Sequence, residues 1–77
     1  MRKVLVYLNS PNEITIEDNV KTWGQLKSLL VTKYGYNDNV IGFLPDLGET
    51  IDTPEYELPM NDFTINLIVQ KSKYGNK

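Results

Sequence analysis

Six carboxylates in the second half of the chain form its clearest chemical pattern. Asp46, Glu49, Asp52 and Glu55 recur every three residues, and Glu57 and Asp62 extend the series. With Asp38 they make seven acidic side chains in residues 34–70, a stretch without one Lys or Arg. The remainder carries all eight basic residues against only Glu13, Glu17 and Asp18. A net charge of −2 therefore conceals −7 in one segment and +5 elsewhere. A one-signed surface attracts a surface of opposite sign, so this asymmetry predicts docking on a basic protein. In the extreme form, carboxylates stand where phosphates would stand. Duplex DNA presents one charge per about 1.7 Å of axis, so a mimic needs a dense row of acids. Tyr56 and Leu58 lie within the same stretch and offer an apolar anchor. The plainer alternative is that acids in loops keep a small domain soluble.

Catalysis has little to draw on. The chain has no His and no Cys, which removes the commonest general base, the commonest zinc ligands and any disulfide. Glu55 and Glu57 have the right chemistry for acid–base work, but nothing in their spacing selects them over solvation. There is no Gly-rich phosphate loop and no EF-hand pattern. The expectation is a non-catalytic protein with no metal and no cofactor. Arg2, Lys3, Lys71, Lys73 and Lys77 suggest a basic edge, yet a pI near 4.9 argues against direct nucleic-acid binding.

Positioning these residues requires a fold, and 77 residues suffice for one domain. The β-branched and aromatic run Lys3–Asn9 reads as a strand, and Asn9–Asn12 as a turn. Glu13–Asp18 alternates as a second strand, completing a hairpin. Thr22 is an N-cap with Gln25 as its capping-box partner, and Gly35 is suited to close a helix spanning about 22–34. Trp23, Leu26 and Leu30 recur at helical spacing, which makes Trp23 a core residue. Tyr34 and Tyr36 flank Gly35 and are suited to close the helix end. Val40–Leu44 is a third strand. Pro45, Gly48, Pro54 and Pro59 interrupt the next stretch of chain, leaving one short strand near Thr50–Asp52. Asp62–Lys71 is the strongest strand, with Phe63, Ile65, Leu67 and Val69 on one face. The domain spans 1–73, and 74–77 form a polar tail.

The order hairpin, helix, strand, irregular segment, strand predicts an α+β fold with a helix across one face of a mixed sheet. Val4, Val6, Ile14, Ile16, Leu67 and Val69 face the helix. The last strand lies beside the first in the sheet centre, because these two are the most apolar. Leu5, Tyr7 and Ile68 then point away from the helix, together with Leu44. This makes a second candidate surface, for a protein contact or a homodimer. The longest apolar runs are far too short to span a membrane, and the N-terminal run is too short for a signal peptide. A cytoplasmic protein without membrane attachment is expected.

On Thr22 and the helix it caps, Gly35 after it and the alternating last strand, the chain resembles the ubiquitin-like β-grasp family over residues 2–71. The resemblance implies an N-terminal hairpin and one helix on a mixed sheet of four to five strands. It also implies recognition through an apolar patch on the open sheet face. Conjugated members and sulfur carriers of that family end in Gly-Gly, whereas this chain ends Tyr74-Gly75-Asn76-Lys77. Conjugation or thiocarboxylation is therefore not expected. In charge layout the chain is similar to small acidic phage-encoded proteins that inhibit a host DNA-binding protein. The alternative role is a structural or adaptor protein that assembles through Leu5, Tyr7 and Ile68.

Overall fold

The structure is a computed structural model and describes residues 1–70. The tail at 74–77 and the cations Lys71, Lys73 and Lys77 lie outside the described residues, whereas the last strand, expected to run to Lys71, already ends at Val69. The elements are β1 (Arg2–Tyr7), β2 (Pro11–Ile16), α1 (Trp23–Tyr34), β3 (Val40–Leu44), β4 (Glu49–Ile51) and β5 (Phe63–Val69). They form an α+β fold with one helix on a mixed five-stranded sheet of order β2-β1-β5-β3-β4. β1 runs parallel to β5; the other neighbours are antiparallel. The two most apolar strands are adjacent, as their composition predicts.

Alternation sets the core. Arg2, Val4 and Val6 in β1, Ile14 and Ile16 in β2, and Phe63, Ile65 and Leu67 in β5 are buried. Trp23, Leu26 and Leu30 of α1 pack on them. The helix ends are those the sequence predicts. Thr22 Oγ1 accepts from the Gln25 amide at 3.3 Å, and Gln25 Oε1 accepts from the Thr22 amide at 3.1 Å. Gly35 takes φ 74, a left-handed geometry that costs a residue without Cβ little. The Tyr36 amide then returns to the Leu30 carbonyl at 3.0 Å, and Tyr34 and Tyr36 pack half-buried against the core.

Three expectations need correction. The hairpin turn is tighter than the sequence suggests, since β1 stops at Tyr7 and β2 starts at Pro11. Proline is tolerated there because the first residue of an edge strand need not donate to a ladder. Val69 faces the helix side but is 47% exposed. Pairing of β1 with β5 ends at Tyr7 opposite Asn66, so the end of β5 has no neighbour on that side. Leu44, expected on the open face, is 1% exposed and belongs to the core. In β3 the inward set is Val40, Gly42 and Leu44. Among the described residues no helix is long and apolar enough to cross a membrane.

Candidate interaction surfaces

The irregular, proline-rich segment that carries most of the acids is held at both backbone and side chain. Its carbonyls complete the helix start. The Trp23 amide donates to the Tyr56 carbonyl at 2.8 Å, and the Gly24 amide to the Pro54 carbonyl at 3.0 Å. These are two of the amides that a helix N-terminus leaves without internal partners. The Leu58 amide donates to the Lys21 carbonyl at 2.8 Å, and Thr22 and Glu57 form an isolated antiparallel bridge. Leu58 is buried in the core, which contributes roughly 1.5–3 kcal/mol to holding the segment down.

Arg2 is the second anchor. Its side chain is 5% exposed, yet no carboxylate lies within ion-pair distance among the described residues. Instead Nη1 donates to the Pro59 carbonyl at 2.6 Å, and Nη2 donates to the carbonyls of Glu17 (3.4 Å) and Val20. One guanidinium thus ties β1 to the loop before α1 and to the acidic segment. Arg2 is therefore no part of an exposed basic edge with Lys3. The sequence carries the signal, because Arg2 shares strand parity with Val4 and Val6.

All six candidate carboxylates, Asp46, Glu49, Asp52, Glu55, Glu57 and Asp62, are exposed. The two ion pairs among the described residues, Met1 amine with Asp18 and Lys3 with Glu13, involve none of them. They fall into groups and do not share one strand or helix. Asp46 lies in the turn between β3 and β4, and Asp62 just before β5. Both line an open groove of about 380 Å³ on the outer side of the sheet, with Glu13, Lys3, Leu5 and Thr64. Asp62 Oδ1 also accepts from the Lys3 amide at 2.9 Å. Glu49 stands on β4 and accepts a hydrogen bond from the Tyr56 hydroxyl. That carboxylate, with some burial, holds the Tyr56 phenol above its usual titration range. Asp52 follows β4, Glu55 lies in the turn before Tyr56, and Glu57 borders a shallow depression with Lys21, Thr22, Leu58 and Met60.

The open sheet face carries three of the four predicted apolar residues. Tyr7 and Ile68 are 39% and 44% exposed, and Leu5 is half-buried. Ile41 and Phe43 replace Leu44 there. Ile41 pairs with Ile68, and Phe43 with Asn66, which pairs in turn with Tyr7. Both are legible from β3 parity once Gly42 is assigned inward. Leu5 belongs to this face and also to the groove holding Asp46 and Asp62, so the apolar face and two of the acids are contiguous. Among the described residues no group of side chains is arranged to hold a metal ion.

No family model matches the chain, and no curated protein matches it. A solved structure, that of ATBAG1 in complex with HSP70, is similar in fold. It shares 18% identity and a TM-score of 0.71 over 99% of this chain and 44% of that one. This chain thus spans less than half the length of that structure's chain, and at this identity the likeness concerns the fold alone.

Proposed function

We propose that the protein is a non-catalytic, ubiquitin-like β-grasp module that works by binding another protein through its acidic segment. The strand order β2-β1-β5-β3-β4, with parallel β1 and β5 and one helix, supports the β-grasp assignment. The observation that carries the function is the state of the carboxylates. All six are exposed, none is paired with a cation among the described residues, and the stretch from Pro54 to Pro59 that carries Glu55 and Glu57 is pinned to the start of α1 and to Arg2. A pinned segment loses little conformational freedom on docking, and unpaired charge of one sign favours fast, salt-sensitive association with a basic surface. The strongest version of this reading is an inhibitor that occupies the site of a nucleic-acid-binding protein, of the phage host-takeover kind. The likeness to a chain solved in complex with HSP70 fits a protein-binding role in general.

A second reading is favoured by the open sheet face. Tyr7 and Ile68, flanked by Leu5, Ile41 and Phe43, make an apolar surface suited to an adaptor contact.

One experiment separates them. Wild-type protein and the Asp52→Lys/Glu55→Lys/Glu57→Lys variant are used as bait at low salt and eluted with a salt gradient. The acidic reading expects a basic protein released at moderate salt, competed off by duplex DNA in its strongest version, and absent with the variant. Equal retention by the variant sinks it. A partner retained through high salt and lost with Ile68→Glu supports the sheet face.

A further inference from the structure

The strand order leaves β2, six residues long, at one edge of the sheet, whereas the opposite edge is the three-residue β4. The outer backbone groups of an edge strand have no ladder partner. Along this edge runs a groove of about 540 Å³ between β2 and α1, walled by half-buried Val20, Leu29 and Tyr34. Its two ends differ in charge. The chain leaves β2 at Ile16, turns through Glu17 to Val20, and α1 then runs back along the strand. Asn12 Nδ2 donates to the Tyr36 hydroxyl at 3.1 Å, which places the helix end beside the start of β2. Glu17 therefore lines one end of the groove and Lys33 the other; Met1 and Glu13 also line it, at the Glu17 and Lys33 ends, but their charges are engaged by Asp18 and Lys3. The Lys33 ammonium sits 5.7 Å from the Tyr34 ring centroid, at its own end. Neither Glu17 nor Lys33 is in an ion pair among the described residues.

We infer that this edge pairs with the same edge of a second copy. A two-fold axis perpendicular to the sheet sets β2 antiparallel to its symmetry mate and makes one continuous sheet of two five-stranded halves. Both helices then lie on one side of that sheet. The operation reverses the groove, so Lys33 of each copy meets Glu17 of the other, twice over. Leu29 and Val20 of the two copies close over the joined edge. An isologous interface needs a surface complementary to itself under rotation, and opposite charges at opposite ends of an apolar groove satisfy that. A parallel pairing, made by a two-fold axis along the strand, would instead put the two helices on opposite faces of the sheet and join neither groove to the other.

The test is sedimentation equilibrium of the 77-residue chain from micromolar to millimolar concentration. A reversible dimer is expected. Lys33→Glu or Glu17→Lys alone creates two like-charge contacts and should weaken it about tenfold or more. The combined swap Lys33→Glu/Glu17→Lys restores the pairing. Both positions are exposed, so the variants keep the fold, as circular dichroism will confirm. Amide exchange at residues 12–16 should slow as concentration rises. A monomer throughout the range overturns the inference. So does a dimer indifferent to both single reversals, or one whose protection falls only on the face of Tyr7 and Ile68.

Discussion

Arg2 shows how one side chain can decide where a functional segment lies. Its five donors fit several carbonyls at once, and a lysine ammonium offers no such fork. Replacing it with Ala leaves the carbonyls of Pro59 and Val20 without their side-chain donor, while the Glu17 carbonyl keeps the Val20 amide at 3.0 Å. Arg2→Ala should cost about 2–4 kcal/mol, and Arg2→Lys should recover only part of it. Urea unfolding with an unchanged slope checks both. Tyr56 gives a pH-dependent case. The phenol is held above its usual value by Glu49, so the bond is made by the protonated hydroxyl. Its contribution is full below the unfolded value of about 10 and is lost as pH rises through the raised folded value. Tyr56→Phe should therefore be less stable by under about 1 kcal/mol at neutral pH, because the pair is partly solvated. Urea titrations repeated at rising pH should show the gap hold to about pH 10 and close above it. A gap that widens at high pH would contradict this assignment.

At the scale of elements, the features legible in the sequence are the local ones. Thr22 and Gln25 cap the helix within four residues, and Gly35 ends it, so the observed limits match the reading. Parity places Val4, Val6, Ile14 and Ile16 inward without further knowledge. The path of the acidic segment is not legible, because its partners are remote. Pro54 and Tyr56 bond to Gly24 and Trp23, and no local rule pairs them. Leu44 departs from expectation for a related reason. The run Val40–Leu44 is apolar at nearly every position, and only the register with β5 and β4 says which side of Gly42 is inside. Gly24 tests the docked segment directly. In an open helix Gly→Ala gains about 1 kcal/mol. Here an added Cβ would stand 2.9 Å from Pro54 Cβ and 3.2 Å from its carbonyl oxygen. The proline ring and its backbone must retreat, stretching the bond to the Gly24 amide. The contact should win, so Gly24→Ala should lose about 1–2 kcal/mol, read as a lower thermal midpoint. A gain in stability would mean that the segment is free to move aside.

For the whole molecule, the segregation of charge has an energetic consequence that separates binding from simple solvation. Residues 34–70 place seven carboxylates on one part of the chain with no cation among them, and none of the six candidates has a salt-bridge partner among the described residues. Like charges gathered on one small domain repel one another, while the bases lie in other segments. At low ionic strength this repulsion extends to about 30 Å, and at physiological salt to about 8 Å. Added salt should therefore raise the thermal midpoint of the free protein, and reversal of one exposed acid should not lower it. Glu55→Lys is the sharpest case, since Glu55 is exposed and in no ion pair among the described residues. Its effect on stability should lie within about 0.5 kcal/mol of zero, on the stabilising side. Affinity for a basic partner should fall in the same variant, because a contact charge has changed sign. A surface kept for recognition and not for folding shows that combination, with stability neutral or gained and binding lost. A surface kept only for solubility predicts no loss of binding, and one that holds the fold predicts a loss of stability. Thermal melts at two salt concentrations, set beside retention of Glu55→Lys on the captured partner, distinguish the three.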